Sequence, residues 1–168
     1  PGVAAGRRVE TPVSLVDGYP TIIETVGETL SAEDGALPGL SLLRVAEGAG
    51  EDRTVLSEYH ALGSLTGMFM LRFGRWKYVH YEGYRPQLFD LQADPGETRD
   101  LAPDPAHAAT LAEGERRLHA ICDPAAVNAR AFADQAARIA SLGGAEAVLK
   151  TGTYPYTPAP GEKPRISV

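Results

Sequence analysis

The chain has 168 residues, of which 43% are hydrophobic and 23% are charged, a composition that can form a hydrophobic core. Its formal net charge is −6 and the sequence contains no Lys/Arg cluster, so a nucleic-acid partner is not expected. No apolar run approaches the roughly 20 residues of a membrane span, so no membrane partner is expected either. The lone cysteine rules out an internal disulfide and favours a reducing, cytoplasmic compartment without establishing one.

The first fifty residues predict one helix followed by a loop. The helix begins at Tyr19 or Pro20, because proline is tolerated in a first turn, and it ends before Gly27. The stretch from Glu28 to Gly50 is rich in Gly, Ala, Glu and Asp, which predicts a loop. Within it, Leu40 to Leu43 is expected to dock on the core.

Four short runs of β-branched, aromatic and apolar residues then predict four strands: Thr54–His60, Met68–Phe73, Trp76–Tyr81 and Gln87–Leu91. Gly74 occupies the position at which a tight type II′ hairpin needs glycine, so the second and third strands should pair antiparallel. Alternation puts three side chains on one face of each of these strands. They are Phe69, Leu71 and Phe73 on the second strand, and Trp76, Tyr78 and His80 on the third. Such a meander needs a helix on one side.

A turn and then a helix are predicted after the last strand. Asp94 supplies a carboxylate that accepts backbone N–H bonds and Gly96 a residue free to take a positive φ, so Asp94 and Glu97 are expected to be turn and cap residues. Asp104 as N-cap and Pro105 as the first helical residue start a helix to about Cys122. Its apolar stripe would be Leu111, Leu118 and Ile121.

The C-terminal stretch predicts a second helix and a tail. Asp123-Pro124 repeats the start signal for a helix to about Leu142, which Gly143-Gly144 can stop. Thr151 to Val168 contains four prolines and two tyrosines, which predicts an extended segment that packs on a neighbouring subunit. The sequence therefore favours a homo-oligomer.

The stretch from Gln87 to Ala102 resembles the "ELYDLxxDPxExxNLA" signature near the C-terminus of sulfatases, in the alkaline-phosphatase superfamily. Three more segments resemble that family in the same linear order. Pro12–Ile23 is similar to its "VSLVDIYPTLLDLAG" helix, Leu37–Leu43 to its "LDGRSLLP" loop, and Met70–Val79 to its "xxRxGxxKYI" hairpin. The extra helix and the tail lean toward the choline-sulfatase-like and phosphonate-monoesterase-like branches.

The resemblance implies an α+β fold, in which a C-terminal helix packs on a four-stranded antiparallel sheet, with an N-terminal linking helix and a further helix plus an extended Pro-rich tail. Residues 1–50 would then be the linking helix and loop that follow a large N-terminal domain. Residues 51–122 would form the C-terminal α+β subdomain, and residues 123–168 the extra helix and tail. The start at Pro1-Gly2-Val3, without Met, is what a fragment or processed product would show.

For function, the resemblance implies a sulfuric ester hydrolase that acts on small-molecule sulfate esters through its N-terminal domain. That domain would supply a formylglycine, made from Cys or Ser in a C-x-P-x-R motif, and the ligands of a divalent metal, Ca²⁺ or Mg²⁺. This chain would contain no catalytic residue, no metal ligand and no cofactor, and would be inactive alone. Two alternatives stay open: a phosphonate or phosphate ester hydrolase of the same superfamily, and a non-catalytic oligomerisation module.

Candidate site residues are few. Cys122 opens a C-x-P triplet but is followed by Ala126 where the motif needs Arg, so it is expected to be structural. The four histidines are spaced too irregularly for a local metal site. Glu58, Tyr59 and His60 are predicted to bind substrate, because in sulfatase-like enzymes the end of the first C-terminal strand can face the substrate cleft. The loop after them, Ala61 to Gly67, has small polar residues that would approach a ligand closely or make a simple turn.

Overall fold

The computed structural model describes residues 3–50, 52–60 and 64–151. Contacts divide the chain into two units, Pro1–Pro124 and Ala125–Val168. The predicted extended tail lies outside the described residues, apart from Thr151, at which the last helix ends. None of the helices in the described ranges has the length and apolar character that crossing a membrane requires.

The first unit is built on a four-stranded antiparallel sheet, as the sequence predicts. Its strands follow chain order, β1-β2-β3-β4. The bounds are β1 Thr54–Tyr59, β2 Met68–Phe73, β3 Trp76–Tyr81 and β4 Gln87–Asp90. Gly74, at φ 48°, makes the tight connection in which Phe73 pairs with Trp76, so the predicted hairpin is confirmed. The fold is α+β.

The register joins the two predicted strand faces into one. Leu71 lies opposite Tyr78, and Tyr78 lies opposite Leu88, so these three side chains form one row on a single face of the sheet. Phe69 and Phe73 extend this face along β2, and both are buried. The core of the unit is therefore the face that a helix has to cover.

That helix is α3, Ala108–Ile121, which contacts β2 and β3. The side chain of Asp104 accepts a hydrogen bond from the backbone N–H of Ala106, and a 3₁₀ turn at Pro105–His107 leads into the helix, which confirms the predicted start. At Gly114 a Cβ atom would lie 2.6 Å from Cγ of Tyr78. Only glycine therefore allows the helix to approach the sheet this closely.

The predicted apolar stripe on α3 is wrong for one of its three residues. Leu118 is fully buried, but Ile121 is exposed. Ile121 is the last residue of the helix, and the chain leaves the helix at Cys122 in an extended conformation. A helical period assigns residues to a face only while the neighbouring sheet extends beneath them.

The N-terminal helix is attached through one buried carboxylate. A 3₁₀ turn at Leu15–Asp17 leads into α1, Gly18–Thr25, so the predicted helix is confirmed and begins one residue before Tyr19. Asp17 is fully buried and accepts hydrogen bonds from both Nη atoms of Arg53, at 2.7 and 2.5 Å. It also accepts from the backbone N–H groups of Ser14 and Leu40, at 2.7 and 2.9 Å. This side chain joins the linking helix, the following loop and the start of the sheet.

The prediction of an uninterrupted loop from Glu28 to Gly50 is wrong. The segment contains a 3₁₀ turn at Asp34–Ala36 and a helix, α2, at Leu42–Glu47. Ser41 caps α2 by accepting from the N–H of Leu43, and Gly48 ends it at φ 108°. Val45 is buried, so tertiary packing stabilises a helix that is too short to be stable alone.

The turn after β4 differs from the prediction in one residue. Asp94 does accept the N–H of Arg99, at 2.8 Å, but the positive φ of 54° belongs to Glu97 and not to Gly96. The carboxylate of Glu97 lies 2.5 Å from Nζ of Lys77 on β3. This contact ties the left-handed residue to the sheet, so Glu97 is an ion-pair residue and not a helix cap.

The second unit, taken by itself, is helical. Helix α4 spans Pro124–Ser141, with the start and stop that the sequence predicts, and Gly143 and Gly144 follow at positive φ. A further short helix, α5 at Ala145–Thr151, was not predicted. The proposed domain division at 50 and 122 stays a prediction.

Candidate functional site

The candidate site lies at the end of β1, on the face of the sheet that α3 covers. Glu58 pairs in register with Phe69, which pairs with His80 on β3. The ring of His60 packs edge-on against Phe69, with ring centroids 5.3 Å apart, and its Nε2 is 3.6 Å from a carboxylate oxygen of Glu58. Two of the three predicted residues, Glu58 and His60, are therefore brought together.

A second histidine–glutamate pair borders the same phenylalanine. The ring of His80 is 6.0 Å from that of Phe69, and its Nε2 is 3.2 Å from a carboxylate oxygen of Glu82. The end of the preceding loop is tied to the same place, because the hydroxyl of Thr66 donates to the carbonyl of Glu82 at 2.8 Å. The side chain of His80 is half-buried. We name the two pairs, Glu58–His60 and His80–Glu82, the His/Glu cluster.

Tyr59 does not belong to the His/Glu cluster. Successive side chains of a strand point to opposite faces, and Tyr59 lies between Glu58 and His60. Its register partner is Met68, and the side chain is partly exposed. A single ligand on the α3 side of the sheet would meet Glu58 and His60, and Tyr59 would face the other side.

Cys122 lies at the C-terminal end of α3. Burial raises the pKa of its thiol, and the negative charges of Glu58 and Asp123 raise it further. The thiol is therefore protonated at neutral pH, which makes it a poor nucleophile. This electrostatic environment agrees with a structural cysteine.

The described residues do not fit the cofactors that the resemblance implies for a complete enzyme. Within residues 3–50, 52–60 and 64–151, no three His, Cys, Asp or Glu side chains come together in a way that would hold a metal ion. Cys122 has Ala126 in place of the arginine of a C-x-P-x-R motif.

Two features of the structure had no clear signal in the sequence. Asp17 and Arg53 form a buried ion pair across 36 positions of sequence. A cavity between the N-terminal segment and the β2–β3 hairpin is lined by arginines from two distant parts of the chain. Residues that come together only after folding leave no local pattern to detect.

Comparison with known proteins agrees with the resemblance seen in the sequence. The chain is 40% identical to arylsulfatase K from Danio rerio over 111 residues, which is 61% of this chain and 21% of that protein. It is 34% identical to the choline-sulfatase of Rhizobium meliloti over 166 residues, which is 97% of this chain and 32% of that protein. The chain is homologous to sulfatases.

The solved structures similar to the chain include an enzyme that is named for phosphonate monoesters and not for sulfate esters. The phosphonate monoester hydrolase from Silicibacter pomeroyi matches 70% of this chain and 26% of its own length, with 31% identity and a TM-score of 0.54. The chain matches no protein-family model. Because it spans about a fifth to a third of the curated relatives it matches, the activity of a complete protein is a matter for proposal.

Proposed function

We propose that this chain is the C-terminal part of a sulfatase-type sulfuric ester hydrolase. It serves as scaffold and lines part of the substrate cleft, and the nucleophile and metal ligands lie in another part of the polypeptide. The observation that carries the proposal is the similarity to a choline-sulfatase over 97% of this chain, in a protein about three times as long.

An exposed apolar surface on the N-terminal helix supports this proposal. Leu15 is 98% exposed, Ile22 is 63% exposed and Val26 is 65% exposed. These three side chains lie in the 3₁₀ turn and helix that resemble the sulfatase linking helix, or directly after it. Burying a large aliphatic side chain is worth about 1.5–3 kcal/mol, so a surface of this kind favours contact with a further domain.

The direct test uses the full-length gene product and p-nitrophenyl sulfate. We expect the full-length protein to hydrolyse this ester and the 168-residue chain to show no turnover. The coding sequence upstream is expected to contain a C/S-x-P-x-R motif with paired aspartates near its start. Absence of that motif, or turnover by the chain alone, would refute the proposal.

For the His/Glu cluster we propose substrate contact through His60 and Glu58. Both side chains lie at the strand end that in sulfatase-like enzymes faces the cleft, and the imidazole and carboxylate can each form hydrogen bonds with a polar ester. In the full-length enzyme, His60→Ala should raise KM about tenfold and change kcat little, since the residue binds and does not react. His119→Ala, on the exposed side of α3, is the matched control. Equal KM values for the two variants would contradict the role.

A phosphonate or phosphate ester hydrolase is the second candidate, and the similarity to the phosphonate monoester hydrolase favours it. The assay separates the two candidates when p-nitrophenyl sulfate and p-nitrophenyl phenylphosphonate are compared at equal concentration. A kcat/KM at least about tenfold higher for the sulfate supports the first candidate. The reverse ratio supports the second.

An oligomerisation module is the third candidate. It is favoured by the second unit, in which α4 exposes Phe132 and Ile139, seven residues apart and so on one side of the helix. Light scattering on the chain with and without Thr151–Val168 tests this candidate. A dimer mass that falls to that of a monomer on truncation would support it, and an unchanged mass would count against it.

A further inference from the structure

A large open cavity lies between the N-terminal segment and the β2–β3 hairpin, away from the His/Glu cluster. Its volume is about 840 Å³, and residues 7–12 form one wall. The hairpin residues Arg72, Gly74 and Arg75 also line it. A volume of this size is typical of sites for ligands of drug size, and a single tetrahedral anion would fill only a small part of it.

The charge of this cavity contrasts with that of the chain. Four arginines line it, Arg7, Arg8, Arg72 and Arg75, and Glu10 is the one carboxylate among the described lining residues. The lining therefore has a formal charge of +3, or +2 when Asp90, the ion-pair partner of Arg75, is included, in a chain whose net charge is −6. Like charges that share a cavity repel each other unless an anion lies between them.

One arginine from each of the two lining segments has a described contact with a neighbouring residue. Nε of Arg75 donates to Asp90 at 2.6 Å and its Nη2 to the other oxygen of the same carboxylate, so the guanidinium has a fixed orientation. Arg7 reaches across toward the end of α2, with its Nη2 3.8 Å from the Cβ position of Gly48. Guanidinium groups bind tetrahedral oxyanions and carboxylates with two parallel hydrogen bonds, which a lysine ammonium cannot do.

Arg8 and Arg72 complete the set. Arg8 pairs with Glu10 at 2.7 Å and is largely exposed, so it forms the outer rim. Nη1 of Arg72 donates to the carbonyl of Gly74, which holds the side chain along its own hairpin. The lining thus contains four guanidinium groups, two from the N-terminal segment and two from the β2–β3 hairpin.

We propose that this cavity binds an organic ligand that carries two or more oxyanion groups, such as a sugar with several sulfate or phosphate esters. Four arginines in a cavity of about 840 Å³ suit several anionic groups on one small molecule better than a single small anion. Binding here is independent of hydrolysis, so the proposal does not rest on the function proposed above. Sulfate esters and phosphate esters share the chemistry that the cavity recognises.

The test is isothermal titration calorimetry on the full-length protein at about 0.15 M ionic strength. Sucrose octasulfate and inositol hexakisphosphate are the two polyanion probes, and inorganic sulfate is the single-anion probe. The cavity variant is R7Q/R72Q, which spares Arg75 because its loss would leave Asp90 without its partner. The control variant is R116Q/R130Q, which removes the same charge from α3 and α4, outside the cavity.

We expect one polyanion to bind the wild-type protein and the control variant with affinities that agree within about twofold. The R7Q/R72Q variant should bind it at least about tenfold more weakly, because hydrogen bonds between ionised partners are among the strongest in proteins. The tighter of the two polyanions identifies the ester class. Melting temperatures equal to that of the wild-type protein in chloride buffer establish that the variants are folded. If R7Q/R72Q is not folded, the single variant R7Q replaces it in the titration.

Four results would overturn the proposal. They are no polyanion binding by the wild-type protein, unchanged binding by R7Q/R72Q, an equal loss in both double variants, or inorganic sulfate binding as tightly as the polyanions. The second result would mean that the probe binds elsewhere, for example in a catalytic cleft. The fourth would reduce the cavity to a site for one anion. None of these results bears on whether the full-length protein hydrolyses a sulfate ester.

Discussion

Asp17→Asn should destabilise the chain by about 3 kcal/mol at pH 7, because it leaves the guanidinium of Arg53 without its carboxylate. Burial alone would raise the pKa of Asp17, but hydrogen bonds from Arg53, Leu40 and Ser14 outweigh burial and lower the pKa from 3.8 to about 2. At 1.36 kcal/mol for each pKa unit, this stabilises the folded state by about 2 kcal/mol above pH 4. Removing one partner of a buried ion pair typically costs about 3–5 kcal/mol.

The pH dependence follows from the direction of the shift. A carboxyl group with a lowered pKa in the folded state contributes its stability above its unfolded-state pKa, and loses it as pH falls through the folded-state value. As the pH falls from 4 to below 2, protonation of Asp17 should therefore cost the wild-type chain about 2 kcal/mol of stability. The Asp17→Asn variant lacks this group, so the difference between the two proteins should shrink over the same interval.

The assay is urea unfolding followed by the fluorescence of Trp76, the one tryptophan of the chain, which lies in the sheet. Glu10→Gln is the matched control, since Glu10 forms an exposed pair with Arg8 and its loss should have no measurable effect. A loss below about 0.5 kcal/mol for Asp17→Asn would refute the reasoning. A difference that persists unchanged at pH 2 would refute the electrostatic part of it.

Three further predictions concern α3 and its end. Gly114→Ala should destabilise the chain by about 1–3 kcal/mol, because the new Cβ atom would overlap the side chain of Tyr78. Gly18→Ala is the control, since a Cβ atom there would lie in open space, and equal unfolding midpoints for the two variants would contradict the prediction. Leu118→Ala should cost about 2–5 kcal/mol in the same unfolding assay because the side chain is fully buried, and a cost below about 1 kcal/mol would be incompatible with that burial. Cys122 should react with iodoacetamide at pH 8 more slowly than free cysteine, since its thiol pKa is raised; a rate equal to that of free cysteine would count against the described environment.

The strands and the helix starts could be predicted because their signals are local. Met68–Phe73 and Trp76–Tyr81 have the bounds that alternation and Gly74 indicate. The start of α3 follows from Asp104 and Pro105, which act within one turn of themselves.

The errors have a common physical origin, because they depend on what lies against the segment. Helix α2 forms because Val45 is buried, although the surrounding sequence is typical of a loop. Glu97 adopts a positive φ and Gly96 does not, and the Glu97 carboxylate contacts Lys77 on β3. Ile121 is exposed although it fits the apolar period, because it is the last residue of the helix and the chain leaves in an extended conformation at Cys122.

For the candidate site, the sequence indicated a set of residues but not how their side chains are arranged. The resemblance to sulfatases pointed to Glu58, Tyr59 and His60 together, and strand alternation separates Tyr59 from the other two. The partners at that place, His80 and Glu82, come from a different strand. Their proximity depends on the register of β2 with β3.

The sequence by itself determined the homology to sulfatases, the order of the strands and the start of each long helix. Only the tertiary structure decided which charges meet. Asp17 and Arg53 are 36 positions apart, and Arg7 and Arg72 lie in segments that no local pattern connects. The formal net charge is −6 and the sequence shows no basic cluster, yet folding brings four arginines to one cavity. Local propensity acts over a few residues, whereas electrostatic contacts depend on which segments the packed core brings side by side.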